Sequence, residues 1–479
     1  MLEISEKDIM KRLQFDNPWW MSQVGIDKRY GQMPRRTYFD PFIARVKDRS
    51  VSRAVVLMGS RRVGKTVMVY HSIDSLLKAG VRGQNILYLS LETPLYTGIA
   101  LERLLELFTT AFSHDRDSEL FIFFDEVQYL KGWEVHLKSL VDSYVSYKFV
   151  VTGSAAAALR LKSNESGAGR FSDFVLPPLT FAEYLRFINR ESELIDSTDS
   201  LSNTVLDIAG LNEEFVNYLN YGGYPEAVFS ETIRENTQQY IKSDIIDKVL
   251  LRDLPSLYGI SDIQELNRLF TTLAYNTGNE VSLEALSISA GVAKNTINRY
   301  LDYLEAAFLI IRVERIDQNA KRFKRAVTFK VYLTNPSMRA ALLGQVEADS
   351  QAMGQLTETA IFSQWQHSEN MTLYYARWKT GEVDIVSLSS ETQKPTWAVE
   401  VKWTDRPVED HSQLNNCIEF IRQNPNVKQP IMVTTRTITQ EITYREVQFR
   451  FILSSLYAYQ LGKNILRHKF NKQKQNVSE

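Results

Sequence analysis

Residues Gly59-Ser60-Arg61-Arg62-Val63-Gly64-Lys65-Thr66 form a full G-x-x-x-x-G-K-T run. Glycines at its two ends let the backbone curl so that successive N–H groups face phosphate oxygens. Lys65 then reaches the β and γ oxygens, the Thr66 hydroxyl ligates magnesium, and Val67 enters the helix whose N-terminus completes the anion site. Further on, an apolar run ends in Asp125-Glu126. Asp125 is expected in the magnesium shell, and Glu126 is expected to polarise a water in line with the γ-phosphate. Thr152 and Ser154, in Val150-Val151-Thr152-Gly153-Ser154, read as polar sensors of that phosphate or as turn and cap residues. Arg170 follows a small-residue loop and is the arginine-finger candidate, acting on its own chain or on a second copy in a homo-oligomer. Arg160, Arg61 and Arg62 compete with it, as does a plain surface salt bridge. The cofactors this set requires are ATP and Mg2+.

A second set lies near the end of the chain, in Gly381-Glu382-Val383-Asp384-Ile385-Val386 and Ala398-Val399-Glu400-Val401-Lys402-Trp403. Side chains alternate along a strand, so Glu400 and Lys402 project to one face while Val399 and Val401 point into the core, and Asp384 on a neighbouring strand can meet them. The bland alternative is a half-exposed strand pair.

The elements that must position these groups are legible as punctuation. Ala54 to Met58, Ile86 to Leu91, Leu120 to Phe124 and Phe149 to Thr152 are short apolar runs separated by helical stretches. That alternation predicts a doubly wound α/β parallel sheet with ligands at the strand C-termini. The polar, acidic stretch 189–204 reads as a linker and domain edge, and 213–229 as a helix, a Gly222-Gly223 stop and a restart at Pro225. Residues 281–308 carry two helical periodicities separated by Ala290-Gly291-Val292, the spacing of a helix-turn-helix. Asn295, Asn298 and Arg299 would then face a DNA groove, with the basic stretch 321–325 as a wing. Contact with protein alone is the other reading.

The chain has 479 residues and a formal net charge of −1, enough for three or four domains. Charge is uneven: residues 191–253 hold 13 acidic against 4 basic side chains, and 402–479 hold 12 basic against 7 acidic. Cys417 is the only cysteine, which excludes an internal disulfide and makes the reducing cytoplasm the expected compartment. No apolar run reaches membrane-helix length, so no membrane partner is expected.

Taken together, GSRRVGKT, FIFFDEVQYL, VVTGSA, LPPLTFAEYL, YGGYPEAV, GEVDIV and AVEVKW resemble a bacterial and archaeal family of P-loop ATPases. Its members join an AAA-type core to a winged helix and a C-terminal domain resembling restriction endonucleases. The resemblance covers roughly residues 36–455 and implies a P-loop core at 36–188 after an N-terminal extension at 1–35. It further implies an acidic linker and helical lid at 189–260, a winged helix at 261–340 and a nuclease-like domain with a basic tail at 341–479. In such a domain Asp384 and Glu400 would share a divalent cation, Lys402 would orient the attacking water, and Glu358 would add an acid from the preceding helix. Gln413 in the following helix would assist. The activity implied is ATP hydrolysis coupled to action on nucleic acid. The alternative is an ATP-dependent switch whose C-terminal domain binds protein and cleaves nothing.

Overall fold

The computed structural model describes residues 5–21, 25–153, 169–196, 204–320, 328–368 and 371–475, which fall into two compact units, Met1–Pro177 and Pro178–Glu479. In the first, β1 (Ala54–Met58), β2 (Ile86–Ser90), β3 (Phe121–Asp125), β4 (Lys148–Gly153) and β5 (Phe171–Val175) form one parallel sheet in the order β2-β3-β4-β1-β5. Every residue of β1, β3 and β4 is buried, because both faces of a parallel sheet are covered, and so they read as unbroken apolar runs. Four strands coincide with those runs; β5, with Ser172 and Asp173 exposed or half-exposed, escapes the pattern. Met58 pairs with Gly153 and Ser90 with Asp125, so these strands end level at one edge. From the loop after β1 rises α1 (Lys65–Lys78), started by Gly64 in the left-handed region at φ 96°.

Among the described residues before 36, Asn17, Trp19 and Trp20 cover an edge of this sheet. β2 is an outer strand, and an outer strand exposes backbone groups that need partners. The Asn17 side chain donates to Tyr88 O at 2.9 Å and accepts from Tyr88 N at 2.6 Å. The indoles of Trp19 and Trp20 both donate to Ile86 O, at 3.2 and 2.7 Å.

The second unit is built on a sheet of nine strands. They are β8 (Glu280–Ser282), β9 (Ile310–Ile316), β10 (Thr328–Leu333), β11 (Leu373–Arg377), β12 (Glu382–Leu388), β13 (Pro395–Glu400), β14 (Ile431–Thr435), β15 (Gln440–Tyr444) and β16 (Val447–Leu453). A separate short ribbon, β6 (Ile195–Asp196) with β7 (Thr204–Val205), precedes them. The sheet order is β15-β16-β14-β13-β12-β11-β9-β10-β8. The helix pair expected at 281–308 is present as α2 (Leu283–Ala290) and α3 (Lys294–Ala306), joined at Gly291 with φ 68°. Beyond it come α4 (Met353–Trp365) and α5 (Asn415–Gln423).

Three expected boundaries fall inside the second unit. The compact unit begins at Pro178, so the edges placed at 188/189 and 260/261 fall inside it. The edge at 340/341 cuts a continuous sheet, because β9 and β11 pair in parallel, Tyr374 with Glu314 and Ala376 with Ile316. A polar stretch marks a domain edge only when few contacts cross it, and here backbone pairing crosses. The basic stretch 321–325 lies outside the described residues.

A methyl group on Gly83 would stand 2.0 Å from Trp19 O. Gly83→Ala is therefore expected to destabilise the first unit by about 1–3 kcal/mol, the cost of overpacking against backbone. Calorimetry would show this as a lower melting temperature; an unchanged one would mean the N-terminal segment is not held against the sheet edge.

Candidate nucleotide site and acid centre

The loop 59–64 is tight where it must be. A methyl at Gly59 would stand 2.2 Å from Leu176 O, and Gly64 needs its left-handed φ to turn into α1. Lys65 is buried and donates to Gly59 O at 3.1 Å and Ser60 O at 2.9 Å, curled over its own loop. Arg36, which the sequence reading did not single out, clamps the loop from behind by donating to Val63 O at 2.8 Å and Pro177 O at 3.0 Å.

Asp125 is the hub. Its Oδ2 accepts from the Thr66 hydroxyl at 2.9 Å and from the Tyr88 hydroxyl at 3.0 Å, and its Oδ1 accepts from the Thr152 hydroxyl. Burial, reinforced by the nearby Glu126 charge, raises the Asp125 pKa, while the hydroxyls of Thr152, Thr66 and Tyr88 oppose the shift. Glu126 takes a left-handed backbone at φ 59°, donates its N–H to Thr152 Oγ1 at 3.1 Å and accepts from the Gln128 amide. Thr152 thus touches both acids, from the strand between the loop and β3.

The donors present fit a nucleotide phosphate with magnesium. Ser60 Oγ is buried without a hydrogen-bond partner, in a loop of the type whose amides receive anions. Thr66 and Asp125 are the residues that would hold the metal, which supplies charge neutralisation at the phosphates. Ser154 and Arg160 lie outside the described residues, and Arg61, Arg62 and Val67 line the loop and the start of α1.

Arg170 is a correction for action within its own chain. Its carbonyl accepts from Ala54 N at 2.9 Å, at the start of β1, whereas the phosphate loop leaves the other end. Five residues at about 3.3 Å each separate them by roughly 16 Å, and the guanidinium pairs with Asp142 at 2.9 Å.

In the second unit, the Ile385–Val399 pairing sets Asp384 across from Glu400, and Lys402 Nζ reaches Glu400 Oε1 at 2.6 Å and Asp384 Oδ2 at 3.3 Å. The three groups do meet, although β13 ends at Glu400 and Lys402 follows it, its N–H donating to Thr434 Oγ1 at 2.8 Å. Glu358 arrives from α4. A second lysine, unforeseen, enters from β10. Lys330 Nζ stands 2.8 Å from Glu358 Oε1, 2.6 Å from Glu382 Oε1 and 3.7 Å from Asp384 Oδ1. Tyr332, two residues on, donates to Glu358 at 2.6 Å. Gln413 is exposed and precedes α5; from α5 it is Cys417 that approaches Glu400, at 3.7 Å.

In this structure the two acids expected to share a cation are engaged by a lysine. Asp384 Oδ2 accepts from Lys402 Nζ and from the Val401 N–H at 2.8 Å, and Glu400 Oε1 accepts from Lys402 Nζ. Among the described residues no three His, Cys, Asp or Glu are placed to hold a metal ion. Burial lifts the carboxyls of Glu358 and Glu400 to about 7 against the pull of Lys330 and Lys402. Burial works the same way on Asp384, yet Lys402, Lys330 and the Val401 N–H hold it below its ordinary range.

Comparison with known proteins agrees with the first unit's geometry. Residues 51–185 match the family model described as an AAA domain, and residues 212–349 match a domain of unknown function (DUF8612). The latter crosses the expected lid and winged-helix boundaries. Loop, sheet and family match agree on an AAA-type P-loop fold for the first unit. Among relatives, an uncharacterized protein of Haemophilus influenzae is 26% identical over 61% of this chain and 70% of its own length. Uncharacterized protein MJ1544 of Methanocaldococcus jannaschii is 24% identical over 81% of this chain and 86% of its own. Similar solved structures include the replication initiator DnaA bound to AMPPCP and single-stranded DNA, 14% identical over 61% of this chain and 93% of that one, TM-score 0.28. A STAND ATPase from Pyrococcus horikoshii is 12% identical over 73% of this chain and 47% of that one, TM-score 0.26.

The raised carboxyls have a measurable consequence. Between the ordinary value near 4.5 and about 7, the folded state keeps protons on Glu358 and Glu400 that the unfolded chain releases. Their contribution to stability is therefore full at the acid end of that window and lost as pH rises through it. Urea titrations of the protein in chelator should show stability falling from pH 5 to pH 8, with a shallower fall in Glu400→Gln; equal slopes would contradict the assignment.

Proposed function

We propose that the first unit hydrolyses ATP with magnesium and that its nucleotide state governs how the second unit engages nucleic acid. The observation that carries the first half is the junction of Thr66, Asp125 and Thr152, which links the phosphate loop, the acid strand and the strand between them through one carboxylate. Glu126, next in sequence and tied to Thr152, is the residue to orient water, and a paired acid of this kind disfavours a P-loop kinase. Lys65→Ala is expected to abolish nucleotide binding. Glu126→Gln should keep binding while turnover drops about 100-fold or more, the usual weight of a general base. Full turnover by Glu126→Gln in a phosphate-release assay would remove that role.

For the second half, support comes from α2 and α3, read as a winged helix that leaves Asn295, Asn298 and Arg299 exposed at the start of α3. Polar and cationic side chains there suit a groove and its phosphates. The acid centre is read as a buried ionic junction rather than a cutting site, since two lysines occupy its carboxylates. In gel-shift titrations Arg299→Ala should weaken duplex binding and lower the salt slope by about one, while wild type with Mg2+ or Mn2+ should leave DNA and RNA intact. Cleavage by wild type that vanishes in Lys402→Ala would restore the nuclease reading. Absence of any nucleic-acid binding would favour the other class, a switch acting on protein.

A further inference from the structure

Among the donors to Asp125, Tyr88 has no place in the phosphate-loop motif. It lies on β2, two residues before Ser90, which pairs in register with Asp125. Residues two apart share a face of the strand, so the Tyr88 ring runs forward along the sheet and its hydroxyl ends 3.0 Å from Asp125 Oδ2. Thr66 donates to the same oxygen but is the group the motif commits to magnesium; Tyr88 carries no such commitment.

The backbone of Tyr88 is fixed in turn from outside the sheet. Asn17 uses both ends of its amide on this one residue, at 2.9 and 2.6 Å, and braces itself on Leu13 O at 2.8 Å, all buried. Trp19 and Trp20 hold Ile86 on the same strand. Behind Tyr88, Tyr70 of α1 packs at 4.9 Å and stacks at 4.2 Å on Tyr30 of the N-terminal segment. The N-terminal segment therefore grips the residue that grips the acid, from two sides.

We propose that Tyr88 is a positioning residue for Asp125, and that Asn17 acts through it, so that the N-terminal segment sets the orientation of the carboxylate that would hold magnesium. This rests on the ATPase reading of the same site. It assigns the segment a role in metal-dependent nucleotide binding beyond covering a sheet edge.

The test measures affinity for a fluorescent ADP analogue with and without Mg2+, on the full chain, for wild type, Tyr88→Phe and Asn17→Ala, together with melting temperature. Tyr88→Phe keeps the ring and removes only the hydroxyl. The expected result is unchanged affinity without magnesium and a several-fold loss of the gain that magnesium brings, in both variants. A merely structural role predicts a lower melting temperature with the magnesium gain intact, and that result for Tyr88→Phe overturns the proposal even if Asn17→Ala does not fold. If wild type binds the analogue with no magnesium gain at all, it is the ATPase reading that fails.

Discussion

A carboxylate buried at the end of a parallel strand is the constraint around which the first unit is arranged. Asp125 is 2% exposed, and an ionised carboxylate in such a place is tolerated only when its oxygens are hydrogen-bonded or paired. Its donors come from three different elements: Thr66 at the start of α1, Thr152 on β4 and Tyr88 on β2. That requirement fixes which strands flank β3. With β4 between β1 and β3, the phosphate loop and the acid are one strand apart, the space into which Thr152 projects. Without those hydroxyls nothing from these elements would oppose the upward pull of burial on its pKa.

The second unit meets the same physical problem with ammonium groups. Three buried acids, Glu358, Asp384 and Glu400, are gathered beside the half-buried Glu382, and Lys330 and Lys402 are threaded among them. Removing one partner of a buried ionic set costs more than the set contributes, because the others are left uncompensated. Each member therefore holds the rest in place. Lys330 can do this only because β10 belongs to the same sheet as β12, which is why the hairpin beside the helix pair and the acid-bearing strands cannot be separate domains.

Much of the first candidate site is legible in the sequence alone. The loop, Asp125-Glu126 and Thr152 announce themselves because phosphate and metal chemistry admits few residue types at fixed spacings. Asp384, Glu400 and Lys402 were legible from strand alternation, and Glu358 only through the family resemblance. Arg170 was misplaced for action on its own chain, for a directional reason: a cation near a loop in sequence can sit at either end of a strand, and β5 starts where β1 starts. Tyr88 was hidden inside Ile-Leu-Tyr-Leu-Ser, where a tyrosine reads as core. Asn17 was hidden because its partners are backbone atoms 71 residues away, a contact no local pattern encodes.

Lys330 is the most instructive omission. In Thr-Phe-Lys-Val-Tyr-Leu a lysine looks like the solvent-facing member of an alternating strand, since lysine is almost never buried unless paired. Here it is 3% exposed, and the three acids that compensate it come from α4 and β12. The acid-acid-lysine spacing of Asp384, Glu400 and Lys402 is compatible with two different chemical states, an open cation site and a closed ionic junction. The residues of that motif cannot distinguish them. Lys330 brings charge from a third strand that the motif does not mention, so the chemistry of such a centre has to be argued from the whole sheet around it.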